Sequence, residues 1–430
     1  FLRPLGLRLM GLNGISRVHI LGGAQTDFAR NWSREGKGAV ALLREVLDDG
    51  LTAAGVTDED IRALNGAGRV ACFVGNFCAE QYVRQGHLGA LLTEASPLFY
   101  GVPAARYEAA CASGSVALDA AMTKIRAGDA DLCIVIGWEL MKTVDSAVCG
   151  DILGFAALQE EESEGVPYPF PRLFGRLADE LVRRYRLPEE IFLDDLARIA
   201  AGNYAAARSN PLAQTRKWFM DYGEARTRGT AGNGYVSGLL AVSDCSQITD
   251  GAALVVLASD AYVASHRLSA PVYVKGYGHR MAPLRFDAKM AESASSPFLL
   301  PWTRQAALDA YRRAGLDVSD VDVFEVHDCF TSSEYAALSA LGLCSPGQEH
   351  DLIAGGCLAP DGTCPVNPSG GLIGCGHPVG ATGVRMFLDI YRQVAGLAGG
   401  CQVARARNGN GMMLNIGGSA TTNYTFIVGT

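Results

Sequence analysis

The chain has 430 residues, of which 49% are hydrophobic and 19% are charged, and its formal net charge is −8 at pH 7. This composition is ordinary for a folded globular protein and excludes a disordered chain. We expect no nucleic-acid partner, because binding phosphates needs clustered Lys and Arg, and the basic residues here are scattered.

Signals for targeting and cross-linking are weak. No apolar run reaches the roughly 18 residues of a membrane-spanning helix, so we expect no membrane span. Gly6 and Arg8 interrupt the first apolar stretch and no signal-peptide cleavage site follows, so residues 1–14 are predicted to be a disordered extension. Twelve cysteines in a chain this long, none in a C-x-x-C pair, predict a cytoplasmic protein without disulfides or a structural metal site.

Apolar strand-like runs alternate with amphipathic helical stretches, which predicts an α/β fold. In chain order, the first predicted elements are a strand at residues 18–21, a helix at 39–54, strands at 70–74 and 106–110, a helix at 113–127 and a strand at 132–136.

The pattern changes between residues 140 and 243, where an acidic run, a proline cluster and scattered arginines interrupt any strand rhythm. This sequence pattern predicts an inserted, mostly helical and loop-rich subdomain. The acidic run at residues 159–164 is interpreted as a solvated surface.

The α/β pattern then resumes and repeats. The later predicted elements are strands at 251–258 and 272–274, a helix at 304–314, a strand at 323–326, helices at 331–341 and 380–394, and a closing hairpin of 411–416 and 424–428. Two similar halves predict a duplicated fold. The predicted division is a first half of residues 15–139 plus 244–268, an insertion at 140–243 and a second half at 269–430.

Cys111 is the first candidate for chemistry. It lies among small residues at a predicted turn from a strand into a helix. The free N–H groups and the positive dipole end of a helix favour a thiolate there and lower the thiol pKa from about 8.5. A thiolate attacks thioester carbonyls. A buried Cys packed among small residues explains the segment equally well.

Two further segments carry candidate polar groups. His327 and Cys329 follow the predicted strand at 323–326, at the end of the strand where α/β folds build their sites; a capping His beside a core Cys is the alternative. His377 lies in the Gly- and Pro-rich loop 367–383, which lets the backbone approach a ligand closely. A phosphate-binding loop is the rival interpretation, but the G-x-x-x-x-G-K-[ST] pattern is missing.

Together these candidates indicate thiolate chemistry with a base and an oxyanion site. They also resemble the thiolases, specifically the branch related to sterol carrier protein 2 thiolase, over about residues 15–428. GCGHPVGATG at 374–383 resembles the thiolase GHP loop, and YEAACASGSVAL at 107–118 resembles the nucleophile segment. HDCF at 327–330 is similar to that branch's replacement for the NEAF motif of commoner thiolases, and the segment 245–252 is similar to the family's helix start before a strand.

The resemblance implies the thiolase fold, in which duplicated βαβαβαββ halves form five α-β-α-β-α layers. It implies that Cys111 accepts the acyl group and that His377 is its activating base. Cys329 would move the proton on the second thiol or on the α-carbon of the acyl donor. His327 would bind one thioester oxygen together with His377, and the backbone N–H groups of Cys111 and Gly417 would form a second oxyanion hole.

The resemblance also implies partners. Ser246 would contact the pantetheine arm of coenzyme A, which is a co-substrate, and no permanently bound cofactor is implied. A homodimer, or a tetramer built from dimers, is expected. Commoner thiolases carry a second acid/base Cys in a C-x-G motif where this sequence has Asn415-Ile416-Gly417; in the resembling branch Cys329 replaces it. Cys375 has no assigned role.

The implied reaction is thiolytic cleavage of a 3-ketoacyl-CoA to acetyl-CoA or propionyl-CoA plus a shortened acyl-CoA, or the reverse Claisen condensation. The insertion would cover coenzyme A. Its arginines, among them Arg216, Arg226 and Arg228, either hold the nucleotide phosphates or are ordinary surface charge, which we favour. The alternatives are a ketoacyl synthase-like condensing enzyme, a thiolase-fold aldolase that needs no nucleophilic Cys, and a scaffold or lipid-binding subunit without turnover.

Overall fold

The computed structural model describes residues 16–404 and 407–430, so the predicted amino-terminal extension lies outside the described residues. The strands are β1 (Val18–Gln25), β2 (Val70–Gly75), β3 (Ala104–Tyr107), β4 (Leu132–Leu140), β5 (Tyr235–Ser237), β6 (Leu240–Ala241), β7 (Asp250–Ser259), β8 (Tyr273–Met281), β9 (Val323–Val326), β10 (Asn410–Gly417) and β11 (Thr422–Gly429).

The α-helices alternate with these strands. In chain order they are α1 (Ala39–Ala54), α2 (Asp58–Gly66), α3 (Ala79–Tyr82), α4 (Leu92–Ala95), α5 (Ser113–Arg126), α6 (Ser146–Gly154), α7 (Pro169–Tyr185), α8 (Glu189–Arg208), α9 (Tyr222–Arg226), α10 (Asp260–Ser265), α11 (Phe286–Ser293), α12 (Pro301–Ala314), α13 (Thr331–Leu341), α14 (Glu349–Ala354), α15 (Gly371–Cys375) and α16 (Val379–Ala395).

Nine strands hydrogen-bond in the order β3-β2-β4-β7-β1-β8-β11-β10-β9. One Cα pair, His19 with Tyr273, joins β1 to β8, so two sheets meet edge to edge at this point. In the first sheet β1, β7 and β4 are antiparallel, and β4, β2 and β3 are parallel. In the second sheet β8, β11 and β10 are antiparallel and β10 and β9 are parallel, with a parallel bridge from Phe324 to Val366 in place of a last strand. The repeated pattern is the duplication that the sequence predicts.

Five layers follow from how the helices cover these sheets. Helices α5 and α16 pack against each other, and α16 packs against strands of both sheets. Helix α5 packs on the first sheet and is joined to the second by the hydrogen bonds Ser115–Asn415 and Tyr424–Asp119, so the two helices form the central layer. On β2, Ala71 and Phe73 face the cluster containing α5, whereas Cys72 and Val74 face the cluster containing α1, as expected from the alternation of side chains along a strand. Helix α12 covers β8 and β11 of the second sheet. The predicted fold class is confirmed.

The central helices approach β4 closely because small residues line the contact. A Cβ added to Gly137 of β4 would collide with the carbonyl oxygen of Gly380 in α16, and one added to Gly114 of α5 would lie 2.9 Å from the Val384 nitrogen. This contact brings the amino-terminal ends of α5 and α16 together, and both candidate segments, with Cys111 and His377, lie there.

The segment between β4 and β7 contains α6 to α9 and the β5–β6 hairpin, and its helices α7 and α8 pack on α13. The acidic run forms a π-helical turn, Gln159–Ser163, that is exposed at most positions. It also makes tertiary contacts, because Glu162 accepts a hydrogen bond from the Phe286 N–H at 2.6 Å and Glu161 pairs with Arg285 at 3.0 Å. Among the described residues, no helix is both long enough and apolar enough to cross a bilayer.

Candidate active site

Cys111 lies in a turn between β3 and α5. The strand ends at Tyr107, earlier than predicted, because its pairing with β2 ends at Gly75. Ala110 then adopts a left-handed backbone conformation (φ 53) that an extended strand does not contain. The Ser113 hydroxyl donates to Ala110 O at 2.6 Å and accepts from Ala109 N at 3.1 Å. These bonds hold the turn and place the Cys111 side chain at the start of α5.

A cavity of about 470 Å³ opens beside this thiol. Three other predicted site residues, Ser246, Cys329 and His377, line the same cavity. Most of the remaining wall is apolar and comes from the first half, the insertion and the second half of the chain. It includes Phe77, Met141, Leu153, Phe170, Ile248 and Phe330.

The two histidines meet at Cys111. Its Sγ and one ring nitrogen each from His327 and His377 all lie within 4.8 Å of one another. The ring centroids are 5.2 Å apart with an interplanar angle of 85°, and all three residues are buried. The structure therefore brings three residues from distant segments into one site. A Cys and two His at this spacing are also a donor set for a metal ion such as zinc.

His377 is oriented as a proton acceptor. Its Nδ1 lies 2.7 Å from Thr382 Oγ1, and the Thr382 hydroxyl donates to Pro378 O at 3.0 Å. Because that bond uses the single hydroxyl proton, Nδ1 carries the ring proton and donates to Thr382, which leaves the lone pair on Nε2. Burial lowers the pKa of His377 to about 3, so the ring is neutral at physiological pH.

His327 is buried more deeply. Asn415 Nδ2 lies 3.1 Å from His327 Nδ1 and 3.2 Å from Cys111 O. The other ring nitrogen, Nε2, is buried and has no hydrogen-bond partner among the described residues. Burial, with His377 beside it, lowers the pKa of His327 well below 6.5. Sequence reasoning noticed Asn415 only as the place of a missing cysteine.

The pKa of the Cys111 thiol differs from the lowered value that the sequence predicts. Burial raises its pKa to about 12, although the N–H groups of Gly418 and of Cys111 itself point at the sulfur and act in the opposite direction. Desolvation therefore outweighs the favourable helix terminus. Burial therefore keeps Cys111 as a thiol at neutral pH.

Gly417, the predicted second oxyanion donor, and its neighbour Gly418 differ in their surroundings. Gly417 is the last residue of β10, packed where an added Cβ would collide with Ala109 O. Gly418 begins the following turn with φ 64, lines the cavity and directs its N–H at the Cys111 sulfur. The Gly418 N–H thus faces the sulfur, and the assignment of Gly417 as an oxyanion donor stays a prediction.

Cys329 and Ser246 lie together on the cavity wall. The Ser246 N–H donates to Cys329 O at 2.9 Å, which ties the segment before β7 to the HDCF segment. Burial, together with the nearby Cys111, raises the pKa of the Cys329 thiol well above 9. Cys329 is therefore protonated in the resting site and has a proton to give.

Buried carboxylates anchor the loops that carry these groups. Asp328 accepts hydrogen bonds from the Leu372 and Ile373 N–H groups at 2.5 and 3.1 Å, so the HDCF segment holds α15, which leads into the His377 loop. Glu139, at the end of β4, accepts from the N–H groups of Phe77 and Gly380 at 2.9 and 3.2 Å. Sequence reasoning missed Glu139, and its signal was a charged residue ending a wholly apolar strand.

Three arginines of the insertion that the sequence singled out are paired with carboxylates. Arg216 pairs with Asp27 at 2.8 Å, Arg226 pairs with Glu190, and Arg228 pairs with Asp244 with both side chains buried. Arg228 therefore forms an interior ion pair rather than the expected surface charge, and the role of the three arginines toward phosphates stays a prediction.

Cys375 is a packing residue. It is buried in a small cluster with Phe28, Ala207 and Ala213, and its sulfur lies 3.6 Å from Asn210 Nδ2.

Comparison with known proteins places this chain in a family. Residues 18–217 match the family model described as thiolase, N-terminal domain, and residues 287–430 match the model described as thiolase C-terminal domain-like. The chain belongs to the thiolase family.

Two relatives illustrate the range within the family. The chain is 32% identical to acetyl-CoA acetyltransferase of Methanothermobacter thermautotrophicus over 406 residues, which covers 94% of this chain and 97% of that protein. It is also 32% identical to sterol carrier protein 2 of Bos taurus over 330 residues, which covers 74% of this chain and 58% of that longer protein.

Solved structures show the same fold at lower identity. The Ltp2-ChsH2(DUF35) aldolase superposes with a TM-score of 0.73 at 19% identity, covering 96% of this chain and 98% of that one. The Acat5 thiolase from Ascaris suum in complex with coenzyme A has a TM-score of 0.65 at 17% identity, covering 96% of this chain and 100% of that one. At these identities the likeness concerns the fold alone.

Proposed function

We propose that the protein is a coenzyme A-dependent acyltransferase of the thiolase type, which cleaves 3-ketoacyl-CoA or forms it by the reverse condensation through an acyl-enzyme on Cys111. One observation carries the proposal: the Cys111 sulfur and a nitrogen of each of two neutral histidines converge beside an apolar cavity that Cys329 also lines. The printed name of the Methanothermobacter relative, acetyl-CoA acetyltransferase, supports the same reaction class.

The first step forms the acyl-enzyme. His377 Nε2 accepts the Cys111 proton as the sulfur attacks the 3-keto carbonyl, since the raised thiol pKa rules out a resting thiolate. The N–H groups of Cys111 and Gly418 stabilise the oxyanion that forms. When this intermediate collapses, the carbon–carbon bond breaks and its electron pair passes to the thioester enolate. Cys329 then protonates the α-carbon, which releases acetyl-CoA or propionyl-CoA.

The second step regenerates the thiol. The Cys329 thiolate takes the proton of an incoming coenzyme A thiol, and the resulting sulfur anion attacks the acyl-enzyme carbonyl. Cys111 leaves and recovers its proton from His377, so the shortened acyl-CoA departs and every group returns to its starting state. Run in the opposite direction, the same steps form a carbon–carbon bond.

Mass spectrometry tests the acyl-enzyme directly. The protein is incubated with 3-ketoacyl-CoAs of several chain lengths, quenched in acid and digested, and we expect the acyl adduct on the Cys111 peptide. Cys111→Ala should lack both the adduct and turnover, while Cys375→Ala, a matched packing cysteine away from the cavity, should retain the adduct. Undiminished carbon–carbon cleavage by Cys111→Ala would favour the aldolase alternative, and absence of any adduct or turnover would favour the scaffold.

We also propose that the protein is a homodimer that pairs through β3. This strand has a neighbour on one side only among the described strands, and Ala104 and Ala105 are exposed on it. An open strand edge offers its unpaired N–H and C=O groups to a second copy. Sedimentation should give the mass of two chains, and Ala105→Lys should shift it toward one by placing like charges at the junction. A wild-type mass of one chain would refute the pairing.

A further inference from the structure

Asn415 is an unusual residue to find inside a sheet. It lies on β10 with no solvent exposure, and each polar atom of its amide has a partner. The Ser115 hydroxyl lies 2.7 Å from Oδ1, and Nδ2 contacts both Cys111 O and His327 Nδ1. The amide therefore links the nucleophile's own backbone to the deeper histidine.

These contacts determine which way the amide faces. Cys111 O is a carbonyl and only accepts hydrogen bonds, so the amide atom beside it must be the NH₂ group. The Ser115 hydroxyl then donates to Oδ1, which is the arrangement observed. Of the two Nδ2 hydrogens, one is directed at Cys111 O and the other at His327 Nδ1.

We propose that Asn415 is a positioning residue that holds His327 in the tautomer with its proton on Nε2, so that His327 donates a hydrogen bond to the thioester oxygen of the substrate. Nδ1 accepts from Asn415 and therefore carries the lone pair. A neutral imidazole has one N–H, so the proton is on Nε2. That N–H is buried without a partner among the described residues, and a carbonyl oxygen of the substrate would supply the missing acceptor.

The two imidazoles thereby acquire opposite roles. Thr382, whose hydroxyl proton is committed to Pro378 O, makes His377 Nδ1 a donor and leaves Nε2 free to accept a proton. Asn415 does the reverse for His327. The base and the oxyanion donor have the same side chain, so the hydrogen-bond partner of each Nδ1 decides which role each histidine takes. The inference rests on the proposed thiolase function and assigns the residue that positions its His327 oxyanion donor.

Nitrogen NMR of histidine-labelled wild-type protein tests the tautomer without any variant of Asn415. His327→Gln identifies the His327 signals, and we expect its proton on Nε2 and the His377 proton on Nδ1. A His327 proton found on Nδ1 overturns the proposal. This result is independent of turnover, so it still decides the tautomer if no 3-ketoacyl-CoA acylates Cys111.

The Asn415→Asp variant tests whether the His327 tautomer affects turnover. The side chain keeps its shape but presents an acceptor to Nδ1, so the His327 proton should move to Nδ1 and the oxyanion donor should be lost. We expect kcat to fall about 100- to 1000-fold, the usual effect of removing one such donor, with KM little changed. Alkylation of Cys111 by iodoacetamide should persist, which shows that the nucleophile and its turn are intact.

Ser115→Ala is the matched control. It removes the bond to Oδ1 but leaves Cys111 O to orient the amide, so the tautomer should stay on Nε2 and kcat should change much less than in Asn415→Asp. An Asn415→Asp protein that keeps the Nε2–H tautomer and wild-type kcat would contradict the proposal, as would equal losses in the two variants with both tautomers unchanged.

Discussion

At the scale of single residues, burial decides the protonation states of the site. Cys111 lies at a helix start, where backbone N–H groups favour an anion, yet removal of water has the larger effect and raises its pKa to about 12. The same burial lowers the pKa of His377 to about 3. Cys111 and His377 are therefore both neutral at physiological pH.

The rate at which iodoacetamide alkylates Cys111 should depend on pH as expected for a thiol with a raised pKa. Because thiolate is the reactive form, the iodoacetamide rate should rise about tenfold per pH unit from about pH 7 to about pH 9 without a plateau. Peptide mapping confirms that Cys111 is the residue modified, and Cys111→Ser provides the blank. A rate that levels off below about pH 8 would show a preformed thiolate, as the helix-start argument alone predicts.

At the scale of elements, the site depends on anchors between segments far apart in the chain. Asp244, just before β7, accepts from Arg228 in the insertion and from the Thr331 hydroxyl of α13 at 2.8 Å. The HDCF segment ends at that helix. A buried ion pair thus ties the insertion to the HDCF segment and engages the Arg228 side chain.

Arg228→Met should therefore affect stability rather than coenzyme A binding. Leaving Asp244 buried without its partner should lower the free energy of unfolding by about 3–5 kcal/mol, measured by chemical denaturation. Arg226→Met removes a largely exposed pair with Glu190 and should cost less than about 1 kcal/mol. A large rise in KM for coenzyme A in Arg228→Met, with stability unchanged, would instead assign this arginine to the nucleotide.

At the scale of the whole molecule, the interior holds more carboxyl groups than cations to pair with them. Burial, with Asp328 nearby, raises the pKa of Glu334 to about 8, and burial raises that of Glu139 to about 7. Asn203 of α8 and Asn367 donate to Glu334 at 2.8 and 2.9 Å. These hydrogen bonds satisfy the group whether or not it carries a proton.

Stability should fall as pH rises across neutrality. A carboxyl whose folded pKa is raised binds a proton more tightly in the folded state, so its contribution is complete below the unfolded pKa of about 4.3 and is lost as pH rises through the folded value. The buried histidines, whose folded pKa is lowered, have the opposite effect: their contribution to stability grows as pH rises. That contribution is complete above the unfolded pKa of about 6.5, so it no longer changes at higher pH. Between about pH 6.5 and pH 8 the carboxyls should lower Tm, opposed above about pH 7 by Lys289, whose pKa burial lowers to about 7.

Glu334→Gln isolates one of these groups. The amide keeps an oxygen acceptor for Asn203 and Asn367 but does not titrate, so Tm should fall less steeply with pH than in the wild type. Differential scanning calorimetry across that window makes the comparison. An unchanged slope in the variant would contradict the raised pKa of Glu334, because Lys289 and the other buried groups are the same in both proteins.

Local patterns in the sequence determined the elements and the list of reactive residues. The predicted bounds of α1, β9 and α13 coincide with the structure, because caps such as Gly55, with its left-handed φ of 65, act over a few neighbouring residues. The repeated strand and helix pattern likewise predicted two similar halves. Cys111, His327, Cys329 and His377 were recognisable from residue type and from their positions at strand–helix junctions.

Only the tertiary structure decided what those residues do with their protons. The partner of His327 is Asn415, 88 positions away, and Asn415 is held by Ser115, 300 positions away; no local pattern encodes such pairs. The raised pKa of Cys111 and the direction of the Gly418 N–H toward its sulfur have the same origin. Burial and hydrogen-bond partners arise when distant segments pack together, and they set the charge and tautomer on which the chemistry depends.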